Sequence, residues 1–249
     1  MVSRVFTEEK DIYGFRNSYH GLVGNARTVT NVGSWNSTHV DRLDCVRLGL
    51  PVGNTADAIR DVKEIVKTTS NDQPGTLVLE PVQAKGGANI APSGFYKGVV
   101  EHFQSKKGLV ICDESNSGLG RIGEQSWGFK WQGFTPDIVA IGSALGNGHA
   151  LSAVATRREI SSAVKHAWFN TFAASHMQTK IGIAVINAIN EEKLNENAEK
   201  VGAVLLKGFE KIAKQYPGHI GNVQGKGLLL GIDIVHRGEP SKEKALDLM

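Results

Sequence analysis

Short apolar runs bounded by turn residues recur along the chain, at Thr76 to Leu79, Leu109 to Cys112, Ile138 to Ile141, Leu151 to Ala155 and Leu228 to Ile234. Runs of this length between Gly, Pro and acidic residues predict buried strands, here taken as parallel. Between and after them the period lengthens to that of a helix. Thr55 is placed to cap a segment that runs to Ser70 with Ile59, Val62 and Val66 on one face. Ser93 is placed to cap another, with Val99, Val100 and Phe103 inward and Gly108 beyond its end. Ile181, Val185 and Ile189 mark a third helix, and Val201, Leu205, Phe209 and Ile212 a fourth that stops near Pro217-Gly218. Strands alternating with helices predict an α/β fold, a mostly parallel sheet with flanking helices. The turn-rich stretch from Asn17 to Gly53 fits neither period and reads as loops over a sheet edge or a subunit interface.

Composition narrows this picture without redirecting it. The 249 residues suffice for one large domain or two small ones. At 41% hydrophobic and 21% charged residues, the chain has the balance of a globular protein and not that of a disordered or fibrous one. The net charge of +3 is small and the basic residues are scattered, with doublets such as Lys106-Lys107 and Arg157-Arg158, so neither nucleic acid nor a membrane surface is expected as partner. Cys45 and Cys112 lie far apart without metal-ligand spacing, which argues against a disulfide framework or a metal site; Cys112 reads as a small core residue. No apolar run reaches membrane-spanning length, and residues 1–20 show no leader of either common type.

In open α/β sheets, ligands bind beyond the carboxyl ends of the strands. Three predicted strands end on groups with possible chemistry: Glu80 after LVL, Asp113 and Glu114 after LVIC, and Ser143 after VAIG. Residues 118–123, GLGRIG, match the dinucleotide fingerprint G-x-G-x-x-G. That fingerprint requires a tight turn directly from strand to helix, whereas Asp113 to Ser117 intervene and no apolar-periodic helix follows. A nicotinamide-dependent oxidoreductase is therefore kept only as an alternative. The three glycines of this loop could instead allow close backbone approach of a ligand. Tyr19-His20-Gly21 suits stacking on a flat cofactor or capping of a core. Ser143 has no nucleophile elbow and no evident base near it in sequence, and no zincin motif occurs.

Taken in order, the segments DIYGFRNSYHG, LVLEPVQ, VICDESNSGLGRIG, PDIVAIGSALGNGHA, FNTF and GKGLLLGID resemble the class III, fold type I, pyridoxal-phosphate aminotransferases. The resemblance is strongest to the group of alanine–glyoxylate aminotransferase 2 and the ethanolamine-phosphate phospho-lyases. It implies a partial large, cofactor-binding domain over about residues 10–235 of the chain, with the small domain largely absent. It implies pyridoxal phosphate as cofactor, an amino acid or amine as substrate, and a dimer. Position by position, Asp113 corresponds to the carboxylate that pairs with the pyridine nitrogen, and Tyr19 to the aromatic that stacks on the ring. Asn116 stands where the family has a glutamine near the phenolic oxygen. Glu80 matches an acid close to the reacting groups, and Thr171 a threonine that reaches the phosphate across a dimer interface.

The chain departs from that family where the chemistry is most demanding. Ser143 occupies the position of the Schiff-base lysine, and a hydroxyl neither forms an imine nor serves as a base at neutral pH. Lys130 and Lys165 lie elsewhere in the motif map. After Thr171 the family's Gly-Gly-Asn-Pro is replaced by Ala173, Ala174, Ser175 and His176. The resemblance thus implies a pseudoenzyme with weak, non-covalent cofactor binding or none, or else an interaction subunit that pairs with a full-length paralogue. It implies a mitochondrial location, with the cytoplasm as alternative.

Overall fold

The computed structural model describes residues 1–32, 45–51, 53–123, 125–165, 170–173 and 175–248. Residues 33–44 and 52 of the expected Asn17–Gly53 loop region, with Phe169 of FNTF and Ala174, lie outside the described residues. Helix α1 (Val2–Thr7) leads to strand β1 (Ile12–Phe15), helix α2 (Ala26–Val29) and strand β2 (Val46–Leu48). Next come α3 (Thr55–Ser70), β3 (Thr76–Leu79), the short strands β4 (Val82–Gln83) and β5 (Asn89–Ile90), α4 (Phe95–Ser105) and β6 (Leu109–Asp113). They are followed by α5 (Gly128–Trp131), β7 (Ile138–Ile141), β8 (Ala153–Thr156), α6 (Arg158–Ser161), α7 (His176–Glu191) and α8 (Leu194–Gln215). Last are β9 (Ile220–Lys226), β10 (Leu229–His236), β11 (Glu239–Pro240) and α9 (Lys242–Asp247).

A six-stranded sheet with order β2-β1-β3-β6-β7-β8 organises the molecule. All its neighbours are parallel except β7 and β8, which run antiparallel. The predicted run Leu151 to Ala155 is therefore a strand of the opposite direction, displaced slightly to Ala153–Thr156. An apolar run reports burial, not direction, and the connection over residues 142–152 holds only a turn of 3-10 helix where a parallel return needs a crossover. The run Leu228 to Ile234 is likewise a strand, but it lies outside the main sheet, paired antiparallel with β9 in a hairpin.

The helices form where the period placed them, with shifted caps. Asn54, not Thr55, caps α3: its Oδ1 accepts from the amides of Ala56 at 2.8 Å and Asp57 at 3.4 Å. Ser93 makes no cap, because α4 starts from Gly94 in the left-handed region at φ 81°. Val62 and Val66 of α3 and Phe95, Tyr96, Val99, Val100 and Phe103 of α4 pack on one face of the sheet, against Tyr13, Phe15, Leu77, Leu79, Val110 and Cys112. Successive strand residues alternate between faces, so Ile12, Val78 and Ile111 point the other way. Among the described residues, that second face is covered by Val29 of α2 and, further along, by Ile160 of α6 and Val2 of α1.

Candidate functional site

Sheet register brings the predicted strand ends to one edge. Leu79 is opposite Cys112 and Asp113 is opposite Ala140, so Glu80, Asp113 and the Gly142-Ser143 pair emerge side by side. The chain leaving β1 crosses this edge and delivers Tyr19 and His20. The Tyr19 amide donates to Glu80 Oε1 at 2.8 Å, and the His20 amide to Thr30 Oγ1 at 2.9 Å, which fixes the crossing segment. His20 Nδ1 then lies 2.8 Å from Asp113 Oδ2, while the Ser115 amide donates to Asp113 Oδ1 at 3.0 Å.

These contacts drive two neighbouring carboxyls apart. Burial alone would raise Asp113, but the hydrogen bond and charge of His20, with Ser115, hold it below the usual carboxylate range. Burial dominates at Glu80, where it outweighs His20 and the Tyr19 amide, and Asp113 adds to it; Glu80 is pushed up to about 7. Its Oε2 is buried without a partner. Asp113 thus stays anionic over the physiological range. Because that carboxylate accepts, His20 Nδ1 carries the proton between them. Tyr19 and His20 were singled out together in the sequence, yet the imidazole's role as the partner of Asp113 was not readable there. Only the juxtaposition of residues 93 positions apart reveals it.

Other expectations divide. Glu114 turns inward and is a structural group: Oε2 accepts from Ser117 Oγ at 2.6 Å and Oε1 from the Phe129 amide at 2.8 Å. Burial raises it above its ordinary value despite these bonds. Two glycines of GLGRIG pack closely against α8. Gly120, at φ 82°, and Gly123, at φ 109°, would push a side chain into Asn195 and Glu199 of α8. Asn116 sits half-buried in the turn after Asp113. Ser143 is exposed at the start of the 3-10 helix Ser143–Gly146. A Cβ on the preceding Gly142 would come within 2.7 Å of Ser115 Cβ, so this strand end abuts the turn that carries Asp113. Thr171 is exposed in a turn, and among the described residues no contact joins it to the Asp113 cluster. No group of three metal-ligating side chains occurs among the described residues.

The edge therefore offers an anionic carboxylate, a crossing segment that carries Tyr19, a buried acid that titrates near neutrality, and a hydroxyl where the next strand ends. Residues 1–248 match the family model described as aminotransferase class-III. Human mitochondrial alanine–glyoxylate aminotransferase 2 is 30% identical over 266 aligned residues, covering 94% of this chain and 52% of the human protein. The ethanolamine-phosphate phospho-lyase homolog 1 of Caenorhabditis elegans is 35% identical over 195 residues, covering 75% of this chain and 42% of that one. In three dimensions, an Arthrobacter phospholyase in complex with phosphoethanolamine superposes with a TM-score of 0.88 at 27% identity, over 97% of this chain and 61% of that one. The chain spans about half the length of the curated relatives it matches.

Proposed function

The chain belongs to the class III aminotransferases, and from this premise we propose that it is a homologue without transaminase activity that retains a non-covalent site for pyridoxal phosphate. The observation that carries the reading is Ser143 at the end of β7, where the family resemblance calls for a lysine. The residues at this edge fit the cofactor in part. Asp113, held anionic, would pair with the pyridine nitrogen, and Tyr19, whose amide is anchored on Glu80, would supply the aromatic against the ring. When bound, the cofactor supplies an electron sink for a carbanion next to its imine carbon. What the chain itself does is narrower: His20 holds Asp113 ionised, Glu80 holds or releases a proton at its free Oε2, and Ser143 cannot bond covalently to an aldehyde as an amine would. The exposed Lys130 and Lys165 are not at this edge in sequence and carry no sign of replacing it.

The test is chemical trapping. The protein is incubated with pyridoxal phosphate, reduced with borohydride and mapped by mass spectrometry. The expected result is no stoichiometric adduct on any lysine, with reversible binding seen by absorbance; full labelling of one lysine would overturn the reading.

A second reading has its own support. Phe172, next to Thr171, is 84% exposed, and Met177 and Val204 on the outer sides of α7 and α8 are also bare. Such surface suits a subunit that associates, as a homodimer or with a full-length paralogue whose site Thr171 would complete. The substrate, if any, would be a small amino acid or amine, or a phosphorylated amine as in the complex of the Arthrobacter protein. Since the human relative is named as mitochondrial, the mitochondrion is the compartment proposed here.

A further inference from the structure

Two residues of the short bend after β3 grip the segment that crosses the site. Glu80 holds the Tyr19 amide. Three residues on, the fully buried side chain of Gln83 donates from Nε2 to the Arg16 carbonyl at 2.8 Å and to Ser18 Oγ at 3.2 Å. Between these two acceptors Asn17 turns the chain at φ 64°, in the left-handed region. A residue other than glycine is uncommon there and keeps that conformation where its surroundings impose it. The loop that follows Gln83 presses on the same turn, since a side chain on Gly86 would collide with the Asn17 carbonyl oxygen. Arg16, Asn17 and Ser18 lead directly into Tyr19 and His20, so whatever fixes this turn fixes where those two residues arrive.

A side-chain amide can hold a carbonyl only when its nitrogen faces it, and the orientation of Gln83 is set from a distant part of the chain. Gln83 is opposite Asn89 in the β4–β5 ladder, and its Oε1 accepts from Asn89 Nδ2 at 3.4 Å. Asn89 Nδ2 also donates to the Gly86 carbonyl at 2.9 Å, and Asn89 Oδ1 accepts from Gln224 Nε2 at 2.7 Å. Gln224, on β9, gives its other hydrogen to the Gly87 carbonyl at 2.9 Å. Each primary amide has two N–H donors, and in all three both are engaged. Reversing any one of them would set an oxygen against a backbone carbonyl. A polar network satisfied in this way specifies a single arrangement. We infer that Gln83 is a positioning residue for the strand-end site: its amide, oriented through Asn89 by Gln224, holds the crossing segment where the Tyr19 amide meets Glu80 and His20 meets Asp113. The inference rests on the cofactor reading only for what this edge binds.

Amide hydrogen exchange on the full chain without cofactor, followed residue by residue by NMR, tests the clamp. Rates at Tyr19 and His20 are read relative to Val99, a core amide of α4 that reports opening of the main core. Gln83→Met keeps the length of the side chain and removes both donors, so this ratio should rise about tenfold. Gln224→Leu, at a residue whose hydrogen bonds go to Asn89 and Gly87 and not to the crossing segment, should raise it several-fold by freeing Asn89. Gln104→Leu removes an amide that donates to the Thr135 carbonyl and to Asp137, away from the site, and should leave the ratio unchanged. Pyridoxal phosphate, followed by absorbance, should bind the Gln83→Met chain several-fold more weakly than the Gln104→Leu chain. An unchanged exchange ratio in Gln83→Met or in Gln224→Leu, or an equal rise in Gln104→Leu, overturns the inference; if Gln83→Met does not fold, Gln224→Leu decides. Equal cofactor affinity in Gln83→Met and Gln104→Leu overturns it as well and leaves Gln83 a purely structural amide. If the unaltered chain takes up no cofactor, the cofactor reading fails while the exchange ratios still decide the clamp.

Discussion

Glu80 and Asp113 stand at the same edge and titrate in opposite directions because burial outweighs every contact at Glu80, whereas at Asp113 the hydrogen bonds from His20 and Ser115 outweigh burial. That difference has a measurable signature in stability. Glu80 ionises near 4.5 in an unfolded chain and near 7 when folded, so between these values the folded state holds the extra proton. The unfolded state then binds fewer protons, and stability falls as pH rises from about 4.5 to 7, by roughly 1 to 3 kcal/mol, and is flat above that range as far as this group is concerned. Glu80→Gln keeps an acceptor for the Tyr19 amide and removes the titration. Urea unfolding of the two proteins at pH 5 and pH 8 should show the variant losing less stability across that interval; parallel losses would contradict the burial of a protonated Glu80. The acids themselves were legible as strand-end residues. Their opposite ionisation was not, because it depends on His20 and Tyr19 arriving from a distant part of the chain.

Among the elements, legibility followed length and continuity of pattern. β3 and β7 coincide with their apolar runs, and α7 and α8 with their periodic stripes. β1 has no strand signature in the sequence: IYGF is short and interrupted by glycine, and it is a strand because β2 and β3 hydrogen-bond to it on both sides. The directions of β8 and β10 were missed because hydrophobicity carries no sign along the chain. The Asn54–Thr55 pair separates the cap from the first helical residue. Asn54→Ala should cost about 1 kcal/mol in chemical denaturation, within a range of roughly 0.5 to 2, and Thr55→Ala only a few tenths. Equal losses would mean that Oδ1 of Asn54 does not hold the first turn.

For the molecule as a whole, the family and its α/β architecture were readable because many motif segments fall in order along the chain. The bare Phe172, Met177 and Val204 predict association: sedimentation at micromolar concentration should find dimers or larger species, and a stable monomer would speak against the interaction reading. The make-up of the α3- and α4-covered face has a kinetic consequence. That face is assembled almost wholly from one continuous stretch, α3-β3-α4-β6, so its core pairs residues close in sequence and closes few long loops. That stretch should form the folding nucleus, with Val99, Phe103 and Leu77 giving φ-values well above those of residues in α8 and the β9–β10 hairpin, which dock afterwards onto a sheet already in place.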